Sequence, residues 1–181
     1  FEGDSDISGW AFVYDQALVA QAYTYFSDLE RAHKILDFFN YKAKKKNNLF
    51  FNAYYVNDGE PAEYILHSGP NLWLGIAACQ YTHRIKDNRY LKLAEDIAQG
   101  IINLQKQDPE GGLRGGPEVE WYATEHNLDA YAFFNMLHKL TGKQKYVEAR
   151  DKILTWLVKH TYDKIDIPVK RGKGDSTIAT D

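Results

Sequence analysis

Two kinds of helix alternate along this chain, and the alternation repeats at a fixed spacing. From Phe12 to Phe26 almost every position is apolar (Val13, Ala17, Leu18, Val19, Ala20, Ala22). A helix that is apolar on most sides is normally buried. Ser27 and Glu30 then form an S-x-x-E pattern, a capping box for a following helix. That second helix is amphipathic, with Leu29, Ala32, Leu36 and Phe39 at helical spacing. The same pair recurs twice. Leu72 to Ile85 is apolar, and Tyr90, Leu93, Ile97, Ile101 and Leu104 then give one stripe opposite Lys92, Glu95 and Asp96. His126 to Leu140 is apolar, followed by Tyr146, Ala149, Ile153, Trp156 and Leu157. Asn71-Leu72 and Asn127-Leu128 are 56 residues apart (127 minus 71), and the same offset carries Tyr90 to Tyr146 and Ile97 to Ile153. Repeats of this kind stack helical hairpins. A plain solenoid would make every helix similarly amphipathic. An enclosed layer and a half-exposed layer instead predict an all-α ring, with inner helices starting near Asp15, Asn71 and Asn127 and outer helices returning between them.

The joints are read from turn chemistry. Residues 1–11 are polar and read as loop. The basic run Lys42 to Asn48 reads as a solvated helix end, favoured there by the dipole. Leu49 to Val56, then Asn57-Asp58-Gly59, then Ala62 to Leu66 predict a small β-hairpin insertion near 49–66. Pro109 to Pro117 is a glycine-rich loop whose Gly111-Gly112 and Gly115-Gly116 permit tight turns or close approach to a ligand. Residues 161–176 return to loop, and Thr177 to Asp181 reads as the entry to a fourth inner helix. The expectation is one hairpin domain over 1–181, about half of a six-hairpin ring, with a second chain or a missing segment completing it.

Composition narrows the partners. A net charge of −3 argues against nucleic acid or anionic membrane as main partner. No apolar run is long enough to span a bilayer. The 13 Tyr and 4 Trp serve a core first, and also suit sugar-binding grooves. Cys79 is the single cysteine, so no internal disulfide forms. No His/Cys/Asp/Glu grouping has metal-ligand spacing, no phosphate loop or nucleophile elbow occurs, and no cofactor is expected.

Three stretches together resemble a known superfamily: Tyr14-Asp15-Gln16-Ala17-Leu18, Gly69-Pro70-Asn71-Leu72-Trp73-Leu74-Gly75, and Thr124-Glu125-His126-Asn127-Leu128-Asp129-Ala130-Tyr131. They are similar to members of the (α/α)-toroid, six-hairpin glycosidase-like superfamily. The resemblance covers nearly the whole chain. It implies a carbohydrate substrate or ligand, with glycoside hydrolysis foremost. A sugar epimerase or polysaccharide lyase of the same fold, or a non-catalytic carbohydrate-binding or scaffold protein, is the alternative. No signal peptide is present; the compartment is left open, and the analogy leans to periplasmic or secreted members.

In such a ring the loops entering inner helices open at one end, so residues at those helix starts converge. That selects Asp15, Asn71, Glu125, His126 and Asp129, with Asp181 at the start of the expected fourth inner helix. Glycoside hydrolysis needs one protonated and one ionised carboxyl. Asp15 and Glu125 are the preferred pair, each weighed against a plain N-terminal helix charge. Asp129, one turn below Glu125, is a third catalytic candidate or a buried carboxylate bonded to Tyr14 or to a backbone N–H. His126 is an acid–base candidate or a hydrogen-bonded histidine at a helix start. Tyr14, Asn71, Trp73, Trp121, Tyr122 and His126 form the expected substrate-binding set. His33, His83 and His160 are expected on or near outer helices, facing solvent. Thr124 is expected to cap the helix that carries Glu125.

Overall fold

A computed structural model describes residues 7–161 and the strand Gly172–Lys173. Six α-helices form three hairpins: α1 (Val13–Tyr25) with α2 (Leu29–Asp37), α3 (Ser68–Ile85) with α4 (Leu91–Gln105), and α5 (Thr124–Thr141) with α6 (Gln144–His160). α3 packs between α1 and α5, and α2, α4 and α6 each lie behind their own partner. The inner row and outer layer are therefore arranged as the apolar patterning requires. On α6 the stripe Tyr146, Ala149, Ile153, Trp156 and Leu157 is buried throughout. Small residues set the inner spacing: a Cβ on Gly75 would collide with the ring of Phe133, so α3 and α5 approach through that glycine.

Among the described residues seven short strands accompany the helices. β1 (Trp10–Phe12), β4 (Ala53–Tyr55) and β5 (Pro61–Glu63) make an antiparallel sheet in the order β1-β4-β5. The insertion near 49–66 is thus present, and Gly59 takes a positive φ in its turn. β2 (Lys45–Lys46) pairs with β3 (Leu49–Phe50), and β6 (Tyr122–Ala123) with β7 (Gly172–Lys173).

Several local expectations are corrected. Trp10–Phe12 is strand, because it pairs with β4 before the helix begins. Asp28, not Ser27, caps α2: its carboxylate accepts from Arg31 N, while Ser27 takes φ +62° to make the turn. A π-helical turn, Phe38–Lys42, ends that hairpin. The basic run does not continue it as a helix end. Asn47 and Asn48 both adopt positive φ, as a two-residue hairpin turn requires, and fold Lys45–Lys46 back on Leu49–Phe50. Ala123 occupies the N-cap of α5 and Thr124 is its first helical residue. Gly172–Lys173 is strand where loop was expected. The proposed fourth inner helix at Thr177 to Asp181 lies outside the described residues.

Helix α1 departs most from expectation. Leu18 is 37% and Val19 39% exposed, and Tyr25 and Phe26 more so. The helix stands at one end of the inner row, with α2 and α3 covering only part of its surface. Leu128 on α5, at the other end of the row, is also exposed.

Candidate active site

The first residues of α1 and α3 are held by backbone hydrogen bonds to other segments. Val13 N donates to Asn52 O, and Ser68 N to Gly115 O. A side-chain clamp repeats in the second and third hairpins. Asn71 Oδ1 accepts from Phe50 N at 2.7 Å, while its Nδ2 donates to Phe50 O at 2.9 Å and His67 O at 2.8 Å. Asn127 does the same with Leu113 N, Leu113 O and Ala123 O. Both asparagines are fully buried. Asn71, expected to touch substrate, instead ties its helix start to the loop before it.

On this scaffold four inner-helix side chains gather with a fifth. The Tyr14 ring meets Trp73 edge-on, centroids 5.9 Å apart. The Tyr14 hydroxyl is held above its usual pKa, first by burial and then by the negative charges of Glu125, Asp129 and Asp15. Asp15 from α1 and both carboxylates of α5 therefore lie near enough to act on one phenol, and α3 contributes Trp73 against its ring. Asp15 and Glu125 are exposed; Asp129, one turn deeper, is half-buried.

Asp129 is the perturbed group. Burial, then the neighbouring charge of Glu125, lifts its pKa from 3.8 to about 6. The Trp73 indole lies near enough to lower that value slightly, yet it is not aligned as a hydrogen bond. Asp129 Oδ2 and Trp73 Nε1 are both buried without a hydrogen-bond partner. A carboxyl in this setting keeps its proton well above the pH at which a solvated one loses it.

His126 sits beside this group and is neutral. Burial, then His67, depresses its pKa to about 4. Ser68 Oγ donates to Arg114 O at 2.8 Å, so it accepts from His126 Nδ1 at 2.9 Å, which places the ring proton on Nδ1. The other nitrogen faces Gly69, where a Cβ would stand 2.6 Å away. His126 is thus packed against backbone, a joint between α3 and α5.

Two aromatics expected at the opening divide. Trp121 is half-buried, 5.5 Å from His126 by ring centroids, and occupies the space a side chain at Gly115 would need. Tyr122 points the other way: its ring stacks on Trp156 of α6 at 5.4 Å, and its hydroxyl accepts from Arg114 Nε. It is an outer-layer residue. The glycine loop is filled likewise by the chain's own groups, Gly112 against Trp156 and Gly116 against Leu66 O. Of the remaining histidines, His33 bonds the Tyr81 hydroxyl and His160 pairs with Glu110, while His83 is exposed on inner helix α3. Among the described residues no group of three or more metal-ligating side chains occurs. A cavity of about 520 Å³ opens at the opposite ends of the inner helices, beside Gln21, Gln80 and Met136, away from the carboxylates.

The chain matches solved structures over most of its length. It aligns with D-mannose isomerase at a TM-score of 0.78 and 14% identity, covering 91% of this chain and 49% of that one. It aligns with cellobiose 2-epimerase from Bacillus thermoamylovorans at 0.70 and 17%, covering 87% and 47%. With a GH76 α-mannanase of Bacteroides thetaiotaomicron the values are 0.68 and 20%, covering 93% and 49%. The chain carries half of an (α/α) toroid. The half toroid spans about half the length of each of these structures. No family model matches its sequence, and no curated protein does. No described helix is long and apolar enough to cross a membrane.

Proposed function

We propose that this half toroid acts on carbohydrate, as the acid-bearing side of a glycoside hydrolase. The observation that carries the reading is Asp129: a half-buried carboxyl raised to about 6, beside exposed Glu125 and near the same phenol as Asp15. Asp129 supplies the proton to the glycosidic oxygen as the bond to the anomeric carbon breaks. The carboxylate of Asp15, on a different hairpin so that a sugar lies between, takes a proton from the attacking water or attacks directly. Burial first, and then the charge of Glu125, raises the Asp129 pKa toward that of a proton donor. Trp73 and Tyr14 offer the C–H face of a pyranose an aromatic floor. The toroids that it resembles include hydrolases acting on polysaccharide and enzymes interconverting sugars, which supports the substrate class.

The test is turnover of a neutral oligosaccharide panel. Asp129→Asn and Asp15→Asn each lower kcat about 10²–10⁴-fold, with binding retained. A panel that yields no new reducing ends, but solvent deuterium in the recovered sugar, replaces hydrolysis with proton transfer at a sugar carbon. Sugar-dependent thermal stabilisation with no product makes the chain a binding module.

A further inference from the structure

A second pocket lies on the same end of the molecule, outside the carboxylate group. The hairpin β2–β3 lays its tip on α4: a Cβ on Gly100 would stand 2.9 Å from Asn47 O and 2.8 Å from the Leu49 side chain. Glycine at 100 is what lets the tip dock. Asn71 fixes the base of the hairpin through both backbone groups of Phe50, so the tip is held to the start of α3. The docked tip closes a cavity of about 390 Å³. Four residues that carry carboxamides line it, Asn47 and Asn48 from the turn and Asn103 and Gln107 from α4 and the residues after it, and Asn103 Oδ1 also accepts from Gln99 Nε2 at 3.1 Å. Leu49 and Leu104 supply an apolar floor, and none of the described residues that line it is charged.

We propose that this pocket binds one neutral pyranose unit of a glycan. A pyranose has a C–H face and a rim of hydroxyls. A carboxamide presents donor and acceptor side by side, matching adjacent hydroxyls, and four of them around leucines complement such a ring. The absence of charge among those lining residues selects neutral sugars over sugar acids. The volume fits the ordinary range for small-ligand sites. The assignment rests on the carbohydrate reading above, and extends it to a subsite that holds the glycan beside the carboxylates.

The experiment follows side-chain amide and indole signals of the ¹⁵N-labelled chain by NMR. Cellobiose, maltose and mannobiose are added to about 20 mM, well above a millimolar Kd, with digalacturonate as the charged comparator. Saturable shifts of the Asn47, Asn48, Asn103 and Gln107 amides with a neutral disaccharide, absent with digalacturonate, are expected. Asn103→Leu and Gln107→Leu, at exposed positions, each weaken that binding at least tenfold. The Trp73 indole signal reports the carboxylate site separately. Silent amides with a shifting Trp73 overturn the pocket alone. Shifting amides with a silent Trp73 support the pocket and count against the catalytic reading. Silence at both overturns both, and unchanged affinity in the two leucine variants overturns the pocket.

Discussion

Asn71 and Asn127 make the same three hydrogen bonds at equivalent places in successive hairpins, each grasping both backbone groups of one loop residue and a carbonyl four residues before itself. Removing either amide strands three buried backbone groups. Each such group costs about 1–3 kcal/mol when left unpaired. Asn127→Ala is therefore expected to lower unfolding stability by about 3 kcal/mol or more in a denaturant titration. Asn127→Asp keeps the acceptor for Leu113 N but sets a buried carboxylate oxygen against the Leu113 and Ala123 carbonyls, so it is expected to cost at least as much as alanine. A loss under about 1 kcal/mol contradicts the clamp.

The inner row makes a separate prediction at Gly75, whose missing Cβ admits the Phe133 ring. Gly75→Ala is expected to cost about 1–3 kcal/mol by overpacking, more than the helix propensity it gains. In a Phe133→Leu background the same change becomes neutral or stabilising, which a double-mutant cycle measures. Additive effects contradict the close approach.

Two neighbouring groups oppose one another in acid. Asp129 is raised to about 6, so the folded state holds more protons than the unfolded one between pH 3.8 and 6, and its contribution falls as pH rises through that window. Allowing for its partial exposure, the penalty at pH 7 is about 1–2 kcal/mol. His126 is depressed to about 4, so the unfolded state binds the extra proton between pH 6.5 and 4, and its contribution is lost as pH falls. That amounts to about 3 kcal/mol at most. Asp129→Asn is expected to stabilise the protein at pH 7 while lowering turnover, and to expose a steeper loss of stability on acidification. Denaturant midpoints at pH 4.5 and 7 for both proteins check the sign.

Much of the fold was legible because buried and half-buried helices differ in composition. Leu72 to Ile85 and the Tyr146 to Leu157 stripe announce their layers before any coordinates. Hairpin order groups Asp15, Glu125 and Asp129 at inner-helix starts, and Tyr14 feels the charge of all three. What sequence missed depended on contacts between distant segments. Asn71 looked like a ligand group because the partner it clamps, Phe50, lies in the separate strand β3. Tyr122 adjoins Trp121 in the chain, yet one residue of strand alternation sends it to α6. The turn at Asn47-Asn48 was masked by the lysines before it, whose charge is typical of a helix end. Burial of α1 was overestimated because an apolar composition states what a face needs, not which neighbour is present to cover it.

The central claim is that Asp129 is raised to about 6 by burial first and by the neighbouring charge of Glu125 second. Titrating the Asp129 side-chain carboxyl by ¹³C NMR, in the parent chain and in Glu125→Gln, tests it without reference to any substrate. The account predicts a midpoint near 6 that moves down once the Glu125 charge is removed. A midpoint near 3.8, unmoved by that substitution, would contradict it.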